Sequence, residues 1–223
     1  MNDLDQYPEF RAYIDPDATD VTVEPRGDDT YLVTMRGEDG GQILLRKEGD
    51  EVEIVAADNV IQFEHALTAP PACAGECTPE QYGLVAQAII DRNNHYSTVT
   101  GPDHGNLACL WAVRHIVHDV LGFWITQSDG TADFYPQLVH CFTNDRDEST
   151  IPAGGIVISP TSGSNVGHIG LLGTGHGDAR LIYSNSSSAA LWKQNYTLGT
   201  WRARYHDRKG LPVYFFPLPR FGA

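Results

Sequence analysis

The chain has 223 residues and a mass of 24.5 kDa, which is long enough for one good hydrophobic core and a small second module. Its formal net charge of −14 and isoelectric point near 4.8 argue against nucleic acid as a partner, because no basic stripe is present to neutralise phosphates, and disfavour anionic membrane surfaces. Hydrophobic residues make up 41% of the sequence, which excludes wholesale disorder, and no apolar run is long enough to predict a membrane span.

The first 66 residues predict a β-rich module behind a short irregular segment. Residues 1–20 are polar and rich in Asp and Pro, so we expect an irregular lead-in; with neither a basic region nor an apolar stretch, it predicts no signal peptide. Residues 21–66 alternate apolar and polar side chains between turn signals, which predicts a meander of about four or five strands, in one form an SH3-like small barrel. Such a module either binds a peptide or polymer, or extends the next domain.

Residues 67–77 are predicted to form a linker that ends in two cysteines. The Cys-x3-Cys spacing of Cys73 and Cys77 allows a small disulfide or two free thiols, and an oxidising compartment favours the disulfide. A zinc site would need two more ligands, and the other cysteines are far away in sequence, so we predict no metal here.

Residues 78–223 predict a single α+β domain. Thr78–Gln81 has the spacing of a capping box with proline at the first helical position, which begins a helix. A short helix is expected around 137–142, with Cys141 as a core thiol. Strands are predicted at 156–158, 167–172, 180–185 and 213–216.

The most apolar helix is predicted over the stretch 105–117 and its apolar continuation to 121, and Gly122 can end it. Its apolar side chains cover so much of its surface that we expect it to pack centrally on an antiparallel sheet. Asp103 or Asn106 is the expected N-cap, which places Cys109 in the first turn. Unpaired N–H groups and the helix dipole favour a thiolate there, so Cys109 is a candidate nucleophile; the alternative is a small buried core thiol.

A candidate partner for this cysteine lies on the predicted strands. If Leu172 faces Leu181 across the glycine-rich hairpin loop, antiparallel pairing places His168 opposite Asn185 on one face. A cysteine, a histidine and an asparagine that orients the imidazole form a known nucleophile–base–orienter arrangement. A slip of one residue would instead leave Ser184 on that face.

Two further histidines have a spacing that can hold a metal. His115 and His118 stand three residues apart on the central helix, but there is no HExxH signature and no obvious third ligand. We therefore expect surface or packing roles for both and predict no metal and no cofactor.

Three segments of the second domain resemble motifs of a known enzyme family. Cys109–Ala112 resembles the Cys-x-Trp start of the active-site helix in CHAP-type peptidoglycan hydrolases. Ile151–Pro160 is similar to the Pro-Gly-Asp-Ile-Val segment before the catalytic histidine of CHAP and NlpC-type enzymes, and Gly167–Gly170 resembles their Gly-His-Val-Gly strand. The resemblance covers roughly residues 78–220 in the same motif order. Ala108 and Gly155 depart from the NlpC pattern, which has acidic residues at both places.

The resemblance implies a papain-like domain and a cysteine hydrolase. Cys109 would be the nucleophile, His168 the general acid and base, and Asn185 the group that orients the imidazole. Tyr96, Asn106 and Trp111 would contact the substrate. The scissile bond would be an amide of peptidoglycan, inside the stem peptide or, alternatively, the N-acetylmuramoyl-L-alanine bond. A binding protein of the same fold without turnover and a zinc amidase are the remaining alternatives.

The implied partner is the peptidoglycan stem peptide. A protein without a signal peptide that cuts cell wall must be made in the cytoplasm and reach the periplasm or wall by dedicated export, on a phage particle or on lysis. The sequence identifies neither a delivery apparatus nor an inhibitor protein.

Overall fold

The computed structural model describes residues 4, 6–14, 18, 20–36, 41–49, 51–57, 72–143, 145–162 and 165–221. These residues form three antiparallel sheets and four α-helices, so the α+β class expected from the sequence is confirmed. The strands are β1 (Asp20–Gly27), β2 (Thr30–Arg36), β3 (Gly41–Glu48), β4 (Glu51–Ala57), β5 (Cys73–Glu76), β6 (Ile156–Ser159), β7 (His168–Leu172), β8 (Leu181–Ser186), β9 (Leu191–Thr197), β10 (Tyr214–Phe216) and β11 (Pro219–Phe221). The helices are α1 (Pro79–Asp91), α2 (Cys109–Leu121), α3 (Thr131–Phe142) and α4 (Leu198–Trp201), which continues as a π-helix over Arg202–Arg208.

The N-terminal sheet is a meander with the strand order β1-β2-β3-β4. Val33 and Met35 of β2 are completely buried, and Leu32 and Thr34 on the other face of the same strand are buried too, so this part of the sheet is covered on both faces. The meander predicted within residues 21–66 is therefore confirmed for the strands described. Residues 58–66 lie outside the described part of the chain, and the small-barrel form stays a prediction.

The segment before β1 is not simply an irregular lead-in, as residues 1–20 were predicted to be. Pro8–Tyr13 forms a short 3₁₀ helix, and Phe10 is completely buried. The Phe10 ring lies 5.3 Å from the ring of Tyr7 and 5.1 Å from that of Tyr31 on β2. Aromatic pairs at these separations are favourable, so this segment supplies part of the N-terminal core.

The end of the predicted linker is a strand, and the predicted disulfide is wrong. β5 pairs with β11 near the end of the chain, so Cys73 belongs to the second domain. Cys73 is bridged to Cys141 on α3, with the two Cα atoms 5.2 Å apart, whereas Cys77 is a free, buried thiol. Four residues of extended chain span about 13 Å, whereas a disulfide needs Cα atoms closer than about 7 Å, so a Cys73–Cys77 bridge does not fit. The expectation that Cys141 is a free core thiol is also wrong.

Helix α1 begins and helix α2 ends where the sequence predicts, but the start of α2 differs. In the capping box predicted for α1, the Gln81 N–H donates to Thr78 Oγ1 over 3.4 Å and the Thr78 N–H donates to Gln81 Oε1 over 2.9 Å. α2 ends at Gly122, which has the left-handed φ of 75° that glycine adopts easily. The predicted N-cap of α2 is wrong, because Ala108 occupies that position and supplies no side-chain cap.

Helix α3 is twelve residues long and begins before the short helix predicted at 137–142. It contains Pro136, and an internal proline is a strong signal against a helix interior. Along the described residues, no helix is both long and apolar enough to cross a membrane.

The second domain is built on a five-stranded antiparallel sheet with the order β10-β6-β7-β8-β9. On one face, α1 and α2 cover side chains such as Ile169 and Leu171 of β7. On the other face, Leu172 packs in a second cluster with Trp201 of α4 and Tyr205 of the π-helix. The expected arrangement of a central helix packed on an antiparallel sheet is confirmed.

Candidate active site

Cys109 is the first residue of α2, and its free thiol is half-buried. Ala108 at the N-cap has no side chain that could accept from the first N–H groups of α2. The N–H groups of the first turn and the helix dipole favour a negative charge near the Cys109 sulfur. The predicted position of a nucleophile at a helix start is therefore present.

The turn that leads into α2 has an unusual backbone. Asp103 and His104 have φ values of 47° and 54°, and Gly105 has a φ of 97°. Consecutive non-glycine residues in this left-handed region are uncommon, because each costs about 1 kcal/mol or more and persists only where surrounding contacts offset that cost. Turns of this kind concentrate at functional sites.

Asn185 holds this turn. Its Nδ2 donates to the Gly105 carbonyl over 2.8 Å, and its Oδ1 accepts from Thr98 Oγ1 over 2.6 Å. The Asn185 side chain is completely buried. The prediction that Asn185 orients the imidazole of His168 is wrong, because its amide lies on the α2 side of the sheet.

The register of the β7–β8 hairpin explains this correction. Leu172 pairs with Ile182 rather than with Leu181, and Gly170 pairs with Ser184. Leu181 instead bonds to the loop, with Gly173 N–H donating to its carbonyl over 2.8 Å. Since directly paired residues share a face, His168 lies on the same face as Ser184, and Asn185 points to the opposite face.

His168 is oriented by a chain of two polar side chains. It is only 2% exposed, and its Nε2 lies 3.1 Å from Ser184 Oγ. Ser184 Oγ donates its one proton to Asn195 Oδ1 over 2.7 Å, so it accepts from the His168 Nε2–H. In the neutral imidazole this leaves Nδ1 as the unprotonated nitrogen, which is the form a general base requires.

Aromatic rings enclose the same imidazole. The Tyr205 ring is stacked on it at 5.7 Å and 12°, the Trp201 ring lies at 5.4 Å, and the Tyr196 ring lies at 6.3 Å. Trp201 is itself fixed, because its Nε1–H donates to Ser159 Oγ over 3.1 Å. Tyr205 lies on the π-helix, a rare element that is frequent at functional sites.

The start of α2 and His168 lie at the same end of the five-stranded sheet. β7 begins at His168, and its antiparallel neighbour β8 ends at Ser186. At that end of β8, Asn185 bonds to Gly105, which precedes Cys109 by four residues. The helix start and the first residue of β7 thus lie at the same end of the sheet, but the His168 side chain lies on the face opposite to α2, whereas Asn185 lies on the α2 face.

The predicted substrate-binding residues have internal partners. Asn106 is buried, and its Nδ2 donates to the Met35 carbonyl over 3.0 Å and to Asp103 Oδ2 over 2.9 Å. Trp111 packs on the ring of His115, 4.0 Å away, and a Cβ added at Gly101 would lie 2.9 Å from the indole. The Asn106 amide nitrogen and the Trp111 ring are therefore engaged within the protein, and substrate contacts by either residue stay predictions.

Tyr96, the third predicted substrate contact, is half-buried at the edge of the main core. The Arg92 guanidinium lies 5.9 Å from its ring centroid. Burial raises the pKa of the Tyr96 phenol, so the group stays neutral at ordinary pH. A substrate contact by Tyr96 also stays a prediction.

His115 and His118 pack as expected. The His118 ring is stacked on Trp124 at 3.9 Å and 15°, and the His115 ring meets Trp124 edge-on at 4.9 Å. Within the described ranges, no group of three His, Cys, Asp or Glu side chains is placed to hold a metal.

Gly155, where the family motif has an acidic residue, is required by packing. A Cβ at this position would lie 2.2 Å from Ile151 Cγ2 and 3.1 Å from the Pro152 carbonyl oxygen. Real Cβ contacts do not approach that closely, so no larger side chain fits without movement. The departure from the motif is therefore a property of this fold.

Sequence reasoning missed the polar chain and the rings around His168. Ser184 was considered only as the result of a one-residue slip, which is the register observed. Asn195 and Tyr205 lie on β9 and on the π-helix, neither of which is next to His168 in sequence. Asn195 is the residue skipped at the register shift between the Ile182–Tyr196 and Tyr183–Gln194 pairs, so regular strand alternation would not have found it.

No family model, no curated protein and no solved structure matches the chain. The function is therefore argued from the residues and their geometry.

Proposed function

We propose that this chain is a cysteine hydrolase that cleaves amide bonds of bacterial peptidoglycan, with Cys109 as nucleophile and His168 as general acid and base. The observation that carries the proposal is the Cys109 thiol at the start of α2, at the sheet end where β7 begins with His168 and its Ser184–Asn195 chain. The imidazole lies on the sheet face opposite to α2, so the proposal requires that it reach the sulfur around that end of the sheet. A nucleophile, a base and a group that orients the base are the parts this chemistry needs.

In the proposed reaction, His168 Nδ1 takes the proton of the Cys109 thiol, and the resulting thiolate attacks the carbonyl carbon of the amide, so that the negative charge moves to the carbonyl oxygen. The Cys109 backbone N–H, at the uncapped start of α2, stabilises that oxygen. His168 gives its proton to the leaving amine and the C–N bond breaks, which leaves a thioester on Cys109. His168 then takes a proton from water, and the hydroxide attacks the thioester carbonyl. The C–S bond breaks and His168 returns the proton to the sulfur, which releases the acid product and restores the thiol.

Ser184 has the orienting role in this proposal. Its hydroxyl accepts from Nε2–H and so keeps Nδ1 as the nitrogen that exchanges protons. The stacked Tyr205 ring restricts rotation of the imidazole about its side-chain bonds. Both contacts reduce the reorganisation that His168 would need during the reaction.

We further propose a papain-like domain with the substrate bond inside the stem peptide. The layout that supports this is a nucleophile at the start of a central helix, packed on an antiparallel sheet whose strand carries the histidine. The Cys73–Cys141 bridge supports a site of action outside the cytosol, because disulfides persist in oxidising compartments.

The test is digestion of purified sacculi followed by mass spectrometry of the released fragments. Wild type should release fragments whose new termini identify the bond, and Cys109→Ala should release none. Cys77→Ala is the matched control, because Cys77 is also a cysteine outside the disulfide but is buried and precedes α1 rather than beginning α2; it should keep the activity. Thermal melting of both variants shows that they are folded. Undiminished release by Cys109→Ala would end the proposal.

A further inference from the structure

We propose that the N-terminal sheet positions the nucleophile: through Arg36 and the Met35 carbonyl, β2 fixes the turn Asp103–Asn106 that leads into Cys109. This inference rests on the proposed hydrolase function. It assigns the N-terminal module a role in the reaction, in place of polymer binding or of mere extension of the next domain.

The turn needs outside contacts to keep its shape. Asp103 and His104 are both left-handed, with φ values of 47° and 54°. Non-glycine residues leave this region readily when nothing holds them. The backbone from Gly105 onwards determines where the first turn of α2, and so the Cys109 sulfur, is placed.

The last residues of β2 contact both ends of the turn. Arg36 Nη2 donates to Asp103 Oδ1 over 3.1 Å. Asn106 Nδ2 donates to the Met35 carbonyl over 3.0 Å, and also to Asp103 Oδ2 over 2.9 Å. Both carboxylate oxygens of Asp103 therefore have donors, and one of these donors comes from the N-terminal sheet.

The opposite side of the turn is held by the second domain. Asn185 Nδ2 donates to the Gly105 carbonyl, and a Cβ at Gly105 would lie 2.6 Å from Ala190 Cβ. The turn is thus held between β2 and β8. The two residues that connect it to Cys109, Leu107 and Ala108, are buried, so a shift of the turn has little room to be absorbed before it reaches the sulfur.

Positioning, rather than stability, is the expected effect of Arg36. Its side chain is 41% exposed and that of Asp103 is 17% exposed, and ion pairs of this kind add little to folding stability. A small displacement of a nucleophile, in contrast, reduces the rate strongly. The variants should therefore change kcat more than they change the melting temperature.

The experiment compares Arg36→Ala with Arg26→Ala. Arg26 is the matched control, because it lies on β1 of the same sheet and pairs with exposed Glu24 at 2.9 Å. For Arg36→Ala we expect a loss of kcat of about fivefold or more, with KM within about twofold of wild type. Arg36→Lys should recover part of the loss, and Arg26→Ala should match wild type. Asp103→Asn is the second variant, to be used if Arg36→Ala folds poorly. It removes the same ion pair and should reduce kcat in the same way.

A second readout separates this inference from the proposed function. The rate at which iodoacetamide alkylates Cys109 at neutral pH reports on the sulfur without any wall substrate, and Arg36→Ala should change this rate while Arg26→Ala does not. Failure of wild type to cleave sacculi would overturn the proposed function but leave this comparison intact. Equal kcat and equal alkylation rates in Arg36→Ala and Arg26→Ala would overturn the positioning role.

Discussion

Two adjacent residues of β8, Ser184 and Asn185, serve opposite faces of the sheet. Ser184 accepts from His168, whereas Asn185 bonds to the turn before Cys109. Because side chains alternate along a strand, one short segment contacts both the base and the support of the nucleophile. The two residues should therefore differ in what their loss changes.

Ser184→Ala should reduce kcat by about tenfold, since His168 loses the acceptor that fixes its tautomer. Asn185→Ala should lower the free energy of unfolding by about 2 kcal/mol, since the buried Gly105 carbonyl and the Thr98 hydroxyl lose their partner. Fragment release from sacculi and urea denaturation measure the two effects. A larger kcat loss in a fully stable Asn185→Ala variant, with Ser184→Ala unchanged, would favour the Cys-His-Asn arrangement first expected.

At the scale of the elements, periodicity and capping signals predicted α1, α2 and four strands of the second domain, β6, β7, β8 and β10, but not β5, β9 or β11. They did so because each signal is local: a capping box at Thr78, a glycine at 122, and β-branched runs such as Ile156–Ile158. The register of β7 and β8 could not be predicted, because it depends on how the loop 173–180 folds and on its hydrogen bonds to Leu181. This difference of one residue in register places Ser184 rather than Asn185 beside His168.

The partner of Cys73 also depends on tertiary structure. Cys77 is near Cys73 in sequence. In the fold, however, β5 pairs with β11 and α3 packs on β5, which places Cys141 within bonding distance of Cys73. Contacts between segments so far apart along the chain have no local signature. The same reason explains why Asn195 and Tyr205 were missed.

The beginning of β8 is held by a buried ion pair. Arg180, at the residue before β8, bonds to Glu148 Oε1 at 2.7 Å and to the Glu148 and Ile151 carbonyls, with side-chain exposures of 4% for Arg180 and 10% for Glu148. Arg180→Ala should lower the free energy of unfolding by about 3 kcal/mol, because the buried Glu148 carboxylate and the Ile151 carbonyl lose the guanidinium donor, while the Glu148 carbonyl still accepts from the Ile151 N–H.

Arg202→Ala is the control for that substitution. Arg202 pairs with Asp178 at 2.9 Å, but the side chains are 43% and 76% exposed, so its loss should cost less than about 1 kcal/mol. Urea denaturation of both variants gives the comparison. Similar losses in the two variants would contradict the role assigned to burial.

At the scale of the whole molecule, the disulfide joins β5 to α3 across a sequence separation of 68 residues. It encloses α1, α2 and the turn before Cys109. Cross-links that close long loops typically stabilise a fold by about 2–4 kcal/mol. The bridge is therefore expected to support the part of the molecule that carries the nucleophile.

Counting thiols tests the bridge. The chain has four cysteines, of which Cys77 and Cys109 are free. Burial raises the pKa of the Cys77 thiol to about 11, so at pH 8 in the native protein iodoacetamide should label Cys109 alone. Unfolding without reductant should expose both free thiols, and reductant should expose all four and lower the melting temperature. Labelling of all four thiols without reductant would contradict the Cys73–Cys141 pairing.

The order of the site residues along the chain has one further consequence. Thr98, Gly105 and Cys109 all precede α3, whereas His168 and the groups that surround it follow β6. A single proteolytic nick in the exposed stretch 145–147 would therefore leave the sulfur on one fragment and the imidazole on the other. The two fragments would stay associated, because β5 pairs with β11 and α2 packs on β7 and β8. The activity would therefore belong to their complex and to neither fragment alone.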